Sequence, residues 1–188
     1  MQTTIYLLRH AESYSNGSLT PRGKEQALSW VSPLLDLQID VIYSSSYKRA
    51  LETIRPFSVK SGIPIYKEAD FRERKVSSQI IENYLQVLEF SWQDFKFKQP
   101  GCESAMECQN RVLAAMQRAI IQNSGKRILI CSHGNAIGLI LQHIETNFGF
   151  EEWKRLNTPD LLKLDSSHES LVWDKTFRVK FDFTNQFI

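Results

Sequence analysis

The sequence predicts a three-layer α/β/α domain with a mostly parallel central sheet. First, strand-like and helix-like stretches alternate along the chain, as they do in α/β proteins. Second, the strand-like stretches include runs of consecutive apolar residues, which are typical of strands covered on both faces. Third, 188 residues with 42% apolar content are enough to bury one sizeable core. We therefore expect residues 1–188 to form a single domain, without internal repeats or linkers.

The first half of the chain is expected to hold three strands and two helices. Residues 3–8 have the composition of a short buried strand. A helix follows, with Thr20 as its N-cap and Pro21 at its first helical position, and its apolar stripe continues to Leu35. The remaining elements of this half are a strand over 39–46, a helix over 48–60 that Gly62 ends, and a strand over 63–69.

The second half continues the alternation. Ser104 and Glu107 have the spacing of a capping box, which predicts the start of a long helix that runs to about residue 123. The other predicted elements are a helix over 80–94, a buried strand over 126–134, a helix over 135–148 and a half-exposed strand over 176–183.

Composition narrows the classes of function. The formal net charge is only +2 and the basic residues are scattered, so a small anionic ligand is favoured over a nucleic acid. No apolar run approaches the length of a membrane span and no leader pattern is present, which predicts a cytoplasmic protein without a membrane partner. Cys102, Cys108 and Cys131 are odd in number and are expected to be reduced thiols.

Two histidines follow buried strands in the same pattern. "IYLLRH" and "ILICSH" each consist of an apolar strand, one polar residue and a histidine, which puts His10 and His133 at the carboxyl ends of strands, where open α/β sheets bind ligands. Arg9 adjoins His10, and Arg49 lies in the first turn of the helix after the second strand. Guanidinium groups and helix N-termini both bind phosphate oxygens, so these residues predict a phosphate site. Taken singly, either histidine could instead be structural and Arg49 a solvated helix residue.

Four motifs carry a resemblance to a known family. "LLRHAES" with Asn16, "SSSYKRALETI", "GCESAMECQNRV" and "CSHGNA" together resemble the histidine phosphatase superfamily, also called the phosphoglycerate mutase-like family, in the correct order from residue 5 to about 137. The resemblance implies a phosphoglycerate mutase-like fold and a phosphohistidine formed on His10. It further implies that Arg9, Asn16, Arg49 and His133 bind the phosphoryl group.

The resemblance extends to two further residues. Glu73, in "DFRERK", would protonate the leaving oxygen, and Gly134 of "CSHGNA" would belong to the phosphate-binding set, with no metal or cofactor required. The chain departs from the family pattern in the segment around Glu73, which reads "RERKVSS" and does not turn through glycine and tryptophan after the acid, so Asp70 and Glu68 remain alternative acids. Ala11 also stands where the family commonly has glycine.

The resulting hypothesis is a metal-independent phosphatase that hydrolyses small, soluble phosphate monoesters through a phosphohistidine. A phosphomutase and a phosphate-binding regulatory protein with weak turnover are the alternatives; the short chain favours a phosphatase over a mutase. A cysteine phosphatase is disfavoured because no arginine follows Cys102 or Cys131 at a spacing of six. Homodimer formation is left open.

Four aromatic or histidine side chains outside these motifs have other expected roles. Tyr14 and Trp92 would either line the substrate entrance or pack on the sheet, with packing the simpler interpretation. His143 and His168 are expected to be structural or solvated.

Overall fold

The computed structural model describes residues 2–79, 82–167 and 170–179. Within these ranges, one six-stranded sheet lies between two groups of helices. The strands are β1 (Thr3–Arg9), β2 (Val41–Ser44), β3 (Ile65–Lys67), β4 (Arg127–Ser132), β5 (Asp160–Ser167) and β6 (Ser170–Trp173). The helices are α1 (Pro21–Ser29), α2 (Val31–Asp36), α3 (Lys48–Ser61), α4 (Tyr84–Gln93), α5 (Ala105–Gln122), α6 (Gly134–Ile144) and α7 (Phe150–Lys154), and a 3₁₀ turn covers Ala69–Phe71. The three-layer α/β/α prediction is confirmed.

The sheet is mostly parallel, in the order β3-β2-β4-β1-β5-β6. Strands β1, β2, β3 and β4 pair in parallel, whereas β5 runs antiparallel to both β1 and β6. Arg9 at the end of β1 is in register with Ser132 at the end of β4, and the backbone N–H of His10 donates to the carbonyl of Ser132 at 3.0 Å. The residues that follow β1 and β4 therefore emerge side by side at the carboxyl edge.

The antiparallel edge differs from the sequence-based expectation. A strand was expected over 176–183, but residues 176–179 contain no strand and 180–183 lie outside the described residues. The two C-terminal strands, β5 and β6, come earlier in the chain. β5 lacks the apolar run that marks β1 and β4, because it contains charged residues. In the folded chain Lys163 is paired, at 3.3 Å from Asp165 and 3.1 Å from Asp174.

The expected caps are confirmed where the sequence signal is local. Thr20 caps α1, Gly62 ends α3 with φ of 76°, and the Ser104 and Glu107 capping box starts α5. The predicted first helix is instead two helices, since Pro33 has no N–H to continue the ladder of α1 into α2.

Two other helix boundaries differ from the prediction. The described part of the expected 80–94 helix begins at Tyr84, and residues 80 and 81 lie outside the described ranges. The expected 135–148 helix ends at Ile144 and is followed by the separate α7.

Two apolar cores cover the two faces of the sheet. Helices α4, α5 and α6 contribute to one core, which includes Leu88, Met116 and Ile137, and helices α2 and α3 contribute to the other, which includes Leu34 and Phe57. No helix in the described part of the chain is long and apolar enough to cross a membrane.

Trp92 belongs to the first of these cores. Its side chain is 8% exposed and packs against Phe148 and Trp153, while Gly138 of α6 leaves room for the indole. The packing interpretation of Trp92 is thus correct, and the residue does not line a substrate entrance.

Candidate active site

The candidate active site lies at the carboxyl edge of β1, β2 and β4. His10 follows β1, and His133 follows β4 as the N-cap residue of α6. Arg49 occupies the first turn of α3, after β2. The rings of His10 and His133 meet edge to face with centroids 5.1 Å apart. The structure therefore brings together residues from three separate sequence motifs.

The hydrogen bonds of His10 fix its tautomer. Nδ1 lies 2.7 Å from the carbonyl oxygen of Ala11, which only accepts, so Nδ1 carries the proton and donates it. Nε2 accepts from Nε of Arg49 at 3.0 Å and therefore keeps its lone pair. Burial lowers the pKa of His10 to about 4; the Ala11 hydrogen bond opposes this shift, and Arg49 and Arg9 add to it. At neutral pH, His10 is a neutral imidazole with its lone pair on Nε2.

His133 is fully buried and also neutral. Burial lowers its pKa well below the usual value, and the nearby cation Arg49 lowers it further. Its Nε2 lies 2.7 Å from Oγ of Ser45, and that oxygen also accepts from the backbone N–H of Tyr47 at 3.2 Å. If Ser45 donates its hydroxyl proton to Nε2, the single proton of the neutral imidazole lies on Nδ1. In that tautomer, Nδ1 of His133 is a hydrogen-bond donor.

Arg9 is held against the start of α6. Its Nη1 donates to the carbonyls of Leu156 at 2.9 Å and Asn157 at 3.3 Å. A Cβ at Gly134 would come within 3.1 Å of the Arg9 guanidinium carbon, so the glycine allows this close packing. Burial lowers the pKa of Arg9, and the charge of Glu73 opposes that shift.

Arg49 is supported by an aromatic ring that the sequence motifs did not single out. Its guanidinium carbon lies 5.1 Å from the ring centroid of Tyr47, in a cation–π geometry. The same ring meets His133 edge to face with centroids 5.2 Å apart. Tyr47 is 38% exposed and thus links the arginine and the buried histidine to the surface.

Glu73 lies at the N-terminus of α6. Its Oε2 accepts from the backbone N–H of Asn135 at 3.2 Å, and its Oε1 accepts from Ala136 at 3.2 Å and Arg74 at 2.8 Å. A carboxylate at this point is favoured by the free N–H groups and by the positive end of the helix dipole.

The two alternative acids point elsewhere. Oε2 of Glu68 lies 3.4 Å and Oδ2 of Asp70 lies 2.9 Å from Nη2 of Arg118 on the exposed side of α5. Of these three carboxylates, Glu73 is the one in contact with α6.

Asn16 is the predicted site residue that no described contact joins to the others. It is exposed, in the turn closed by Ser13 and Leu19, and its Oδ1 accepts from the backbone N–H of Ser18 at 3.0 Å. Ala11, which stands where the family commonly has glycine, is fully buried in a small cluster with Leu19 and Ala27.

Three supporting residues were missed by sequence reasoning. Ser45 contacts His133, and Thr53 accepts from the backbone N–H of Ala11 at 2.9 Å. Burial raises the pKa of Tyr84, and the charge of nearby Glu73 raises it further. Thr53 follows Arg49 by one helical turn, which is a signal that could have been used; Tyr84 reaches the site only through tertiary packing.

Unpaired polar atoms concentrate at this site. In the described ranges, five buried side-chain nitrogen or oxygen atoms have no hydrogen-bond partner, and three of them are Arg9 Nε, His133 Nδ1 and Asn135 Oδ1. Since buried polar atoms are normally paired, their concentration here is typical of a site that binds a polar ligand. Among the same residues, no group of three or more His, Cys, Asp or Glu is arranged to hold a metal ion.

The mostly parallel α/β sheet carries two histidines and two arginines at its carboxyl edge, the residue types and the position that suit a compact anion. The chain belongs to the histidine phosphatase superfamily (branch 1), whose model matches residues 5–171. The family assignment supports a phosphatase- or mutase-type enzyme, in agreement with the resemblance of its motifs.

Named relatives and solved structures agree with this assignment. The probable phosphoglycerate mutase GpmB of Salmonella typhi is 29% identical over 171 aligned positions, which cover 79% of this chain and 76% of that protein. Bacillus stearothermophilus YhfR has a TM-score of 0.78 at 21% identity and covers 91% of this chain and 95% of its own. A mycobacterial glucosyl-3-phosphoglycerate phosphatase has a TM-score of 0.76 at 16% identity, and the match covers 93% of this chain and 98% of that one. These structural similarities establish the fold.

Proposed function

We propose that this protein is a metal-independent phosphatase that hydrolyses small phosphate monoesters through a phosphohistidine at His10. The observation that carries the proposal is the lone pair on Nε2 of His10, held 3.0 Å from Arg49 and flanked by Arg9 in the adjoining position. A neutral imidazole is a competent nucleophile at pH 7. The two guanidinium groups supply the donors that a transferring phosphoryl group needs.

The first chemical step transfers the phosphoryl group to the enzyme. Nε2 of His10 attacks phosphorus, a P–N bond forms and the P–O bond to the alcohol breaks. Arg9, Arg49 and His133 stabilise the charge on the equatorial oxygens. Protonated Glu73 donates its proton to the leaving oxygen, and this transfer leaves a neutral alcohol and a carboxylate.

The second step regenerates the enzyme. The Glu73 carboxylate removes a proton from a water molecule, whose oxygen attacks phosphorus while the P–N bond breaks. Inorganic phosphate leaves, His10 regains its lone pair and Glu73 regains its proton. The backbone N–H groups of Asn135 and Ala136, which donate to the Glu73 carboxylate, hold it at the start of α6 for this step.

A thiol nucleophile fits the site less well. Burial raises the pKa of Cys108 to about 12 and also raises the pKa of Cys131, so neither thiol forms a thiolate readily.

A phosphomutase is the second candidate. The printed name of the Salmonella typhi relative, a probable phosphoglycerate mutase, favours it, whereas the names of two structural neighbours, a phosphoserine phosphatase and a glucosyl-3-phosphoglycerate phosphatase, favour hydrolysis. The two activities differ in the acceptor of the phosphoryl group, which is water for a phosphatase and the bound substrate for a mutase.

The deciding experiment measures phosphate release from a panel of small phosphate esters with a metal chelator present. The native protein is compared with His10→Ala and with His143→Ala, a control that removes an exposed histidine from α6. We expect release by the native protein and by His143→Ala, and none by His10→Ala. Transfer between substrate positions without phosphate release would select the mutase instead, and release that survives in His10→Ala would refute the phosphohistidine.

A further inference from the structure

Arg111 of α5 holds the backbone of the loop that carries Glu73. Its Nη1 donates to the carbonyl of Asp70 at 2.6 Å and to that of Arg72 at 3.0 Å. Its Nη2 donates to the carbonyl of Glu73 at 3.4 Å. One guanidinium group therefore contacts three carbonyls within four residues of the loop. Nothing in the proposed chemistry uses Arg111, although it lies in one of the four motifs that identify the family.

Glu103 fixes the orientation of Arg111. Its two carboxylate oxygens accept from Nε at 2.6 Å and from Nη2 at 2.7 Å, in the paired geometry that constrains a guanidinium group most strongly. Both side chains are largely buried, at 12% and 14% exposure. The backbone of Glu103 also pairs with the far side of the loop, through its N–H to the carbonyl of Lys75 at 2.9 Å and its own carbonyl to Nε of Arg74 at 3.0 Å.

The loop needs this support because the contacts of the Glu73 carboxylate with α6 are long. The distances from Asn135 and Ala136 are both 3.2 Å, at the upper end of the range for N–H to oxygen hydrogen bonds. Long bonds of this kind orient a side chain only if its backbone is already fixed. The shorter contacts of Arg111 with the carbonyls of Asp70 and Arg72, at 2.6 and 3.0 Å, supply that restraint on the residues just before Glu73.

We propose that Arg111, oriented by Glu103, is a positioning residue that places the Glu73 carboxylate at the N-terminus of α6. The inference deepens the proposed function, since it concerns the group assigned there as the acid. Arg111 touches neither His10 nor the reacting atoms, and it acts through the carbonyls of the loop.

Arg118 provides a matched control on the same helix. It lies seven residues, or about two helical turns, after Arg111 and reaches the same segment of chain. Its contacts are with the side chains of Glu68 and Asp70, and it is 49% exposed. A substitution there removes an arginine from α5 but leaves the loop carbonyls bound.

The first test does not depend on activity. Hydrogen exchange of the Asn135 and Ala136 amides is measured by NMR in the native protein, Arg111→Lys, Glu103→Gln and Arg118→Lys. We expect exchange about tenfold faster in the first two variants, equivalent to a loss of ~1.4 kcal/mol, because Glu73 no longer caps these amides. The amide of Ile130 in β4 reports any global loss of stability. Unchanged exchange at Asn135 and Ala136 in both variants would overturn the proposal.

The second test uses two esters that differ in their need for an acid. An alkyl phosphate requires protonation of its leaving oxygen, whereas p-nitrophenyl phosphate does not, because its alcohol is already acidic. In Arg111→Lys, kcat/KM for the alkyl ester, which reports the steps up to formation of the phosphohistidine, should fall about 100-fold, the low end of what a positioned acid contributes. For p-nitrophenyl phosphate kcat/KM should stay nearly unchanged; kcat is not compared, because Glu73 also serves the later water step with both esters. Arg118→Lys should leave both reactions unchanged.

Glu73→Gln separates positioning from a general structural effect. It should show the same selective loss in kcat/KM, and adding Arg111→Lys to it should cause no further selective loss. Equal losses of kcat/KM with both esters in Arg111→Lys would mean that the arginine serves general stability, and would contradict the proposal. If the native protein hydrolyses neither ester, the proposed function fails, while the amide exchange still decides the role of Arg111; if Arg111→Lys does not fold, Glu103→Gln decides it in both tests.

Discussion

His10 depends more than any other residue of the site on its immediate surroundings. The Ala11 carbonyl fixes the proton on Nδ1, and Arg49 faces the lone pair on Nε2. The sequence predicted that His10 and Arg49 lie at the same edge of the sheet, because both follow buried strands. It could not predict the tautomer, which depends on two hydrogen bonds whose distances only the folded chain defines.

The lowered pKa of His10 leads to a prediction at this scale. The imidazole should remain neutral down to about pH 4, since burial disfavours its charged form, rather than titrating near its usual value of 6.5. NMR titration of the ring protons, with the signal assigned by its loss in His10→Asn, measures the midpoint. A midpoint for His10 near 6.5 would contradict the described environment.

Gly134 supports a second prediction, about the contact between α6 and Arg9. In Gly134→Ala, the added methyl would lie 3.1 Å from the guanidinium carbon and would push the arginine out of place by a few tenths of an ångström. We expect phosphate affinity to fall about fivefold, on the order of 1 kcal/mol of a charge-assisted hydrogen bond.

Thermal stability should not fall in the same variant, because alanine favours a helix more than glycine does. Isothermal titration with inorganic phosphate and thermal unfolding test the two halves of this prediction. An unchanged affinity would show that Arg9 does not contribute to phosphate binding.

At the scale of elements, α3 connects the nucleophile to the rest of the fold. Its first turn carries Arg49, and its second turn carries Thr53, whose Oγ1 donates to the Arg49 carbonyl at 2.7 Å and accepts from the backbone N–H of Ala11 at 2.9 Å. The strand-to-helix pattern and the Gly62 cap predicted this helix from the sequence. The role of Thr53 was not predicted, because its partner is 42 residues away in the chain.

Thr53→Val tests this connection. The isosteric change leaves the buried N–H of Ala11 without an acceptor, which should cost about 1–3 kcal/mol in the free energy of unfolding. Phosphatase activity should fall as well, since the Ala11 carbonyl holds Nδ1 of His10. Urea denaturation and initial rates measure the two effects, and Thr53→Ser, which keeps the hydroxyl, should behave like the native protein. Equal behaviour of the valine and serine variants would exclude this role for the hydroxyl.

At the scale of the whole molecule, His10 and His133 make the stability of the fold depend on pH, because proton binding to them is coupled to unfolding. The pKa values of His10 and His133 are lowered by burial, so the folded protein binds fewer protons than the unfolded chain below their usual value of 6.5. The free energy of unfolding should therefore decrease as the pH falls from about 6.5 to about 4.

Each of the two protons taken up on unfolding contributes at most about 1.4 kcal/mol per pH unit to this decrease. Urea unfolding between pH 7.5 and 4.5 measures the slope, and His10→Asn should flatten it if the variant folds. A stability that does not change over this interval would contradict the burial of the neutral histidines.

The parallel part of the molecule was predictable from the sequence, and its antiparallel edge was not. Apolar runs mark β1 and β4, whereas β5 carries Lys163 and Asp165, whose charges are paired only once the sheet has formed. The site shows the same division. Strand-end and helix-start signals located His10, Arg49 and His133, but the contact of Glu73 with α6 depends on a loop that no local pattern specifies.

The order of strands in the sheet also bears on how the chain folds as it is synthesised. Strand β1 emerges first, yet its two neighbours in the sheet are β4 (Arg127–Ser132) and β5 (Asp160–Ser167). Its pairings therefore span more than a hundred residues, and such non-local contacts slow folding. A nascent chain that lacks β4 and β5 would leave the apolar strand β1 unpaired on both sides, so the ribosome-bound intermediate is expected to need protection from aggregation until β4 has been made.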